Sequence, residues 1–192
     1  MRGIVFLDRD GTLIEERGYL RDPADLRILP GVGEALQRLS REGFLLAVVS
    51  NQAGLAKGKF SEGEMKAVHR EFVAAFAREG VVFDAVEYCP HHPEGVVEAY
   101  RRSCRCRKPG TRMAERILRR LRVPDSCPRY LVGDKMSDVL MGIRIGAATA
   151  LVGTGHGNEE NALGERSGVA PDVFLQGMRE AAGWILSHGS GS

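Results

Sequence analysis

Short, continuously apolar runs alternate along this chain with stretches in which apolar residues recur every three or four positions. Ile4–Leu7 is the first apolar run and predicts a strand. Pro30–Arg41 predicts a helix with Val32, Leu36 and Leu39 on one face, stopped at Gly43. Phe44–Val49 is apolar almost throughout, as expected of a strand covered on both faces. Ser61–Ala77 carries the clearest helical signal. Ser61 and Glu64 have capping-box spacing, and Met65, Val68, Phe72 and Phe76 follow at helical intervals. Ala85–Tyr88 predicts a third strand and Thr111–Leu121 a helix. After these come a strand at Tyr130–Val132, a helix at Ser137–Ile145, a strand at Ala148–Val152 and a helix at Gly177–Leu186.

Strand and helix in alternation predict an α/β protein: a Rossmann-like three-layer sandwich with a mostly parallel sheet. No repeat or linker interrupts the pattern, so residues 1–188 read as one domain and Gly189–Ser192 as a flexible Gly/Ser tail. Ligands of such sheets bind beyond the carboxyl ends of the strands. The irregular stretch Tyr88–Lys108 is too long for an ordinary loop and calls for something to fix it.

Composition narrows the function classes. Over 192 residues the net charge is +2, which argues against a general nucleic-acid or membrane binder, although Arg101, Arg102, Arg105, Arg107 and Lys108 cluster. No stretch approaches the roughly 20 apolar residues of a membrane span, and Asp8 cuts the first apolar run too short for a signal-peptide core. A cytoplasmic location follows as the expectation. There, the four cysteines are metal ligands or free thiols rather than disulfides.

The chemistry begins where the first strand ends, at Phe6-Leu7-Asp8-Arg9-Asp10-Gly11-Thr12. Residues two apart in an extended chain face the same way, so Asp8 and Asp10 address one site. Paired carboxylates there suit Mg²⁺; one carboxylate can also attack phosphorus while the other works as acid and base. A calcium loop opens similarly but needs a helix before it and a Glu at its twelfth position, which counted from Asp8 is Tyr19. A plain solvated turn is the other alternative. Three further segments suit a phosphate site. Ser50-Asn51-Gln52 ends the second strand with a hydroxyl and backbone N–H groups. Arg107-Lys108-Pro109-Gly110 puts cations just before a helix start. Gly133-Asp134-Lys135-Met136-Ser137-Asp138 adds an acid that could complete the magnesium ligands, with Asp138 positioning a water or Lys135, although a lone Asp there could equally cap a helix.

A second metal site is written into the long irregular stretch. Cys89, His91, Cys104 and Cys106 offer three thiols and an imidazole, a closed tetrahedral Zn²⁺ set with no open position for catalysis. His92 is the rival to His91. The spacing within each pair is tighter than the usual two to about four residues, but a loop with too few apolar residues to pack by itself needs a metal. Incidental cysteines are the alternative reading. Cys127 stands apart as a small, buried or half-buried residue.

In order, the four polar segments resemble the haloacid dehalogenase superfamily of phosphatases, and the resemblance runs from Phe6 to Asp138. It implies that Asp8 is the nucleophile and Asp10 the general acid/base, that Ser50 and Lys108 bind the transferring phosphoryl group, and that Asp8, the carbonyl of Asp10 and Asp134 hold Mg²⁺. Asp10 must be protonated to help the leaving oxygen depart, so its pKa is expected to be raised in the occupied site.

The pattern is similar to a narrower branch, the heptose-bisphosphate 7-phosphatases related to histidinol-phosphate phosphatases. Its members share Asp-Arg-Asp-Gly-Thr, Asn-Gln after the second-strand hydroxyl, Gly-Lys-Phe (here Gly58-Lys59-Phe60), Cys-Pro-His-His-Pro, Cys-x-Cys-Arg-Lys-Pro and Val-Gly-Asp-Lys. The likeness implies a capless fold with a zinc-bound loop. The expected substrate surface is Glu16, Arg17, Gly18, Tyr19, Ser50, Asn51, Gln52, Ala53, Arg107, Lys108 and Lys135, of which Glu16-Arg17-Gly18-Tyr19 matches the branch's substrate loop; the place of Arg107 beside Lys108, rather than the likeness, suggests that it reads a second phosphate or a sugar hydroxyl. Ala53 departs from the branch, where Ser is frequent. The expected reaction removes the C7 phosphate of a heptose bisphosphate on the way to nucleotide-activated heptose. A small phosphorylated sugar is thus the expected partner of a monomer, with neither nucleic acid nor membrane involved. Alternatives are histidinol phosphate as substrate, a nucleic-acid 3′-phosphatase, and a zinc-stabilised binding module without turnover.

Overall fold

The computed structural model describes residues 1–188, so the tail expected at 189–192 lies outside the described residues. Six strands, β1 (Gly3–Leu7), β2 (Phe44–Asn51), β3 (Ala85–Cys89), β4 (Arg129–Gly133), β5 (Ala148–Val152) and β6 (Val173–Leu175), form one sheet in the order β3-β2-β1-β4-β5-β6. All neighbouring pairs are parallel. The helices are α1 (Val32–Arg41), α2 (Glu62–Arg78), α3 (Arg112–Arg120), α4 (Met136–Arg144), α5 (Gly157–Ser167) and α6 (Met178–His188).

The apolar runs are continuous because both sheet faces are buried, and alternate residues serve different layers. Val5 and Leu7 of β1 pack with Leu36 and Leu39 of α1, Phe72 and Phe76 of α2 and Ile185 of α6. Ile4 and Phe6 pack on the opposite face with Met113 and Ile117 of α3 and Met141 of α4. This is the expected three-layer sandwich. The capping box at Ser61 and Glu64 is formed, with α2 starting at Glu62.

Two elements escaped the sequence pattern, α5 and β6. The α5 segment buries only Gly157 and Gly164, so it shows no apolar stripe. β6 is three half-buried residues held by pairing with β5. Elsewhere the differences are of boundary: α1 starts at Val32 rather than Pro30, and β2 runs on through Ser50 and Asn51, which puts those polar residues inside the sheet. Among the described residues no helix is long and apolar enough to cross a membrane. Strand order reverses beside β1, which has β2 on one side and β4 on the other, so the crevice at their carboxyl ends is the topological place for a ligand.

Candidate active site

The crevice is built from the carboxyl ends of β1, β2 and β4. Asp8 directly follows β1, and its N–H still donates to Val132 O at 2.9 Å, extending the β1–β4 ladder by one bond. Asp134 directly follows β4 and is fully buried. Two glycines make room for it. A Cβ on Gly11 (φ +82°) would lie 2.2 Å from Asp134 Oδ2, and one on Gly155 (φ +56°) would lie 2.3 Å away. Gly155 stands just before His156, whose N–H donates to the same oxygen at 3.0 Å. The acid is thus seated between two backbone segments that only glycine lets approach.

Carboxylate oxygens of Asp8, Asp134 and Asp138 lie within 4.8 Å of one another. One buried cation already sits among them: Lys108 Nζ is 2.5 Å from Asp8 Oδ1 and 2.6 Å from Asp138 Oδ1, and donates to Val49 O at 2.8 Å. Burial works against the ammonium, but the charges of Asp138 and Asp8 outweigh it and raise its pKa. A second cation, Lys135 Nζ, is 3.8 Å from Asp134 Oδ2 and better placed on Glu16, at 3.1 Å. Asp134 Oδ1 is buried without a hydrogen-bond partner. Burial first, then the charge of Asp8, pushes the Asp134 carboxyl up to about 8; burial likewise takes Asp138 to about 6. Crowded, buried oxygens of this kind call for another positive charge, and an all-oxygen set fits a hard divalent cation such as Mg²⁺. Asp138 does not hold the side chain of Lys135. Its Oδ2 accepts from the Lys135 N–H at 3.2 Å, capping α4, while Oδ1 faces Lys108.

Asp10 is not part of that carboxylate group. Its oxygens accept from Arg9 Nε at 3.0 Å and Nη2 at 2.9 Å, and from Gln52 Nε2 at 2.8 Å. Burial by itself would raise this carboxyl. The charge and hydrogen bonds of Arg9 more than offset it, with help from Gln52 and Lys135, so its pKa is lowered. The raised value expected from the sequence concerns the site with phosphate bound; the protein's own groups, Arg9 foremost, act in the opposite direction. Gln52 Nε2 also reaches Ser50 Oγ at 2.8 Å, which links the acid to the buried strand-end hydroxyl. Asn51 ties β2 to the cation loop from both sides: its Oδ1 accepts from the Lys108 N–H at 2.9 Å and its Nδ2 donates to Lys108 O at 3.3 Å.

The cleft is lined by Asp8, Asp10, Glu16, Gly18, Tyr19, Ser50, Asn51, Gln52, Ala53, Lys108 and Lys135, all expected from the sequence. Arg9, Leu20, Gly54, Phe60 and Ser137 line it as well and carried no expected site role; Arg9, Phe60 and Ser137 lie within the motif segments 6–12, 58–60 and 133–138, the signal that could have found them. Two expected residues are placed elsewhere. Arg17 pairs with Glu15 at 2.7 Å on the surface, and Arg107 lines a separate concavity with Arg105 and Arg144.

Cys89, His91, Cys104 and Cys106 converge at the end of β3. Cys106 Sγ is 3.2 Å from the sulfurs of Cys89 and Cys104, and those two are 3.5 Å apart. His91 Nδ1 lies 3.3 Å from Cys106 Sγ and 3.8 Å from Cys89 Sγ. A tetrahedron with Zn–S of about 2.3 Å has edges near 3.8 Å, so the four atoms are gathered almost to that size. Burial, above all, pushes the Cys89 thiol up, a penalty a metal reverses by taking the thiolate. His92 is turned away: its Nδ1 accepts from the Glu94 N–H at 3.1 Å. Cys127 is half-buried near Met1, outside the cluster.

Comparison with known proteins gives the same direction. The family model for HAD-hydrolase-like proteins matches residues 105–181, and that for polynucleotide kinase 3 phosphatase matches residues 3–140. A D-glycero-β-D-manno-heptose-1,7-bisphosphate 7-phosphatase of Haemophilus ducreyi is 42% identical over 153 residues, covering 79% of this chain and 83% of its own. Its counterpart in Vibrio cholerae is 37% identical and covers 95% of each chain. The solved D,D-heptose 1,7-bisphosphate phosphatase of B. bronchiseptica, complexed with magnesium and phosphate, superposes with a TM-score of 0.83 at 31% identity, covering 97% of this chain and 99% of that one. With its parallel sheet, its strand-end acids and relatives of this closeness, the chain belongs to the haloacid dehalogenase-like phosphatases, in the family of the heptose-1,7-bisphosphate 7-phosphatases.

Proposed function

We propose that this phosphatase removes the C7 phosphate of D-glycero-β-D-manno-heptose 1,7-bisphosphate through an aspartyl-phosphate on Asp8. The observation that carries the chemistry is the buried meeting of Asp8, Asp134, Asp138 and Lys108, of which Asp8 and Lys108 line the strand-end cleft. The substrate is carried over from the relatives' names, supported by a lining that retains Glu16, Gly18, Tyr19 and Lys135.

In this reading the phosphoryl group lies between Asp8, the Ser50 hydroxyl and Lys108. Asp8 attacks phosphorus, the bond to the sugar oxygen breaks, and Asp10 gives its proton to that oxygen. Water then attacks the phosphoryl-Asp8, passes a proton to Asp10 and releases phosphate, which returns both acids to their starting states. The incoming phosphate brings negative charge toward Asp10, opposing the effect of Arg9 and favouring the protonated acid. Asp8, Asp134 and the carbonyl of Asp10 would hold Mg²⁺, which when bound offsets the repulsion between Asp8 and the phosphate. Lys108 neutralises the equatorial oxygens, and Asn51 fixes its backbone. Cys89, His91, Cys104 and Cys106 would hold a structural zinc. Binding through His91 Nδ1 puts the ring proton on Nε2, so Arg102, which now donates to Nε2 at 2.5 Å, has to give way. The product is a heptose monophosphate for surface-glycan precursors made in the cytoplasm.

The test is Mg²⁺-dependent phosphate release from heptose bisphosphate, histidinol phosphate and a 3′-phosphorylated oligonucleotide. Preference for the first is expected. The oligonucleotide represents the second reading, which rests on the polynucleotide 3-phosphatase model spanning residues 3–140. Turnover confined to the other two substrates would displace the heptose assignment.

A further inference from the structure

Arg9 is the largest fully buried side chain among the described residues, at 2% exposure, and its charge faces inward beside the acid that handles the proton. Its guanidinium takes both oxygens of Asp10 in a fork, through Nε at 3.0 Å to Oδ2 and Nη2 at 2.9 Å to Oδ1. Such a fork fixes the plane of a carboxylate as well as its location. Arg9 is itself held from behind. Its Cζ lies 5.9 Å from the centre of the Tyr88 ring on β3, and the Tyr88 hydroxyl is 2.5 Å from His69 Nδ1 on α2. The rings of Tyr88 and His69 meet edge to face, with centroids 5.1 Å apart. Gln52 completes the frame from the cleft side by bonding Asp10 Oδ2 and Ser50 Oγ.

We propose that Arg9 is the positioning residue of the proton-transfer step, aiming the carboxyl of Asp10 at the leaving oxygen, and that Tyr88 and His69 hold Arg9 in place. This rests on the reading of Asp10 as general acid. A buried guanidinium needs an acceptor wherever it sits, so an ion pair alone does not distinguish positioning from stability. The frame does: Arg9 and Gln52 bond one carboxylate whose orientation decides proton transfer, and Tyr88 of β3 and His69 of α2 stand behind Arg9, while in this reading phosphate is gripped by other residues, Ser50 and Lys108.

Leaving-group dependence separates the two roles. A sugar alkoxide needs a proton as the P–O bond breaks; p-nitrophenolate leaves without one. On kcat/KM, which reports the first half-reaction, Asp10→Asn is expected to lose about 10²–10⁴-fold with heptose bisphosphate and less than about tenfold with p-nitrophenyl phosphate. Arg9→Lys is expected to repeat the asymmetry at about 10–100-fold against about threefold or less, mainly in kcat with KM little changed. Tyr88→Phe, which keeps the ring and removes only the hydroxyl, should show the same asymmetry at about fivefold and decides the matter if Arg9→Lys does not fold. Equal losses on both substrates in Arg9→Lys and Tyr88→Phe, or no loss in either, overturn the positioning role. Equal losses in Asp10→Asn itself instead remove Asp10 as the acid, and the inference with it.

Discussion

Lys108 Nζ lies 2.5 Å from Asp8 Oδ1, and both side chains are nearly inaccessible to solvent, at 2% and 6%. The same ammonium is 2.6 Å from Asp138. Breaking a buried ion pair by removing one partner typically costs about 3–5 kcal/mol, because the abandoned charge stays desolvated. Lys108→Met abandons two carboxylates. Without divalent metal it is expected to lose stability in that range, read as a shift in the denaturant midpoint at unchanged slope, and to lose turnover. A variant as stable as the parent would show that the pair is not formed in solution.

Asp8→Asn should separate activity from stability. Asp8 is one of the two acids whose charge pushes Asp134 up, so neutralising it relieves repulsion in the cluster, while Lys108 keeps Asp138 as partner. Turnover is expected to fall by about 10³-fold or more and the melting temperature to hold or rise. Substantial residual rate would remove Asp8 as the nucleophile.

Most of this site was legible because parallel strands make it so. Runs such as Ile4–Leu7 and Phe44–Val49 announce strands, and the polar residues placed right after them land at one sheet edge by topology alone. What stayed hidden depends on side-chain direction. Arg9 lies between Asp8 and Asp10 in a chain whose alternation points it away from them, yet a bend lets it turn back onto Asp10. Arg107 is next to Lys108 and lines a different concavity. His156 reaches Asp134 through its backbone, from a loop before α5, a helix with no periodic signal.

Metal should stabilise the protein more at pH 8 than at pH 5. Asp134 has a folded-state pKa raised to about 8 and Asp138 to about 6, against about 3.9 in an unfolded chain. A carboxyl with a raised folded pKa contributes stability that is full below its unfolded value and is lost as pH climbs toward the folded value. The metal-free protein is therefore expected to lose melting temperature between pH 5 and 8, and millimolar Mg²⁺ to restore it chiefly at the upper end. A Mg²⁺-induced shift of equal size at both values would contradict this account of the acid cluster.

Removing zinc should act on catalysis through Lys108 rather than through the acids. Cys106 is two residues before Lys108, whose backbone is fastened to Asn51 on β2, and the loop also docks through the Val97 N–H on Ala56 O at 2.9 Å. The four ligand atoms are already gathered to nearly the size of a zinc tetrahedron, so metal analysis of the purified protein should find about one zinc per chain. Cys106→Ser is expected to lower that content severalfold and to deprotect residues 89–108 in hydrogen exchange while β1 and β4 stay protected. Its kcat/KM should fall by about tenfold or more as the Lys108 ammonium loses its fixed place, and added Mg²⁺ should not restore it. His92→Ala should leave zinc content unchanged, since that ring bonds Glu94 instead. Full zinc content in Cys106→Ser together with loss in His92→Ala would reverse the ligand assignment.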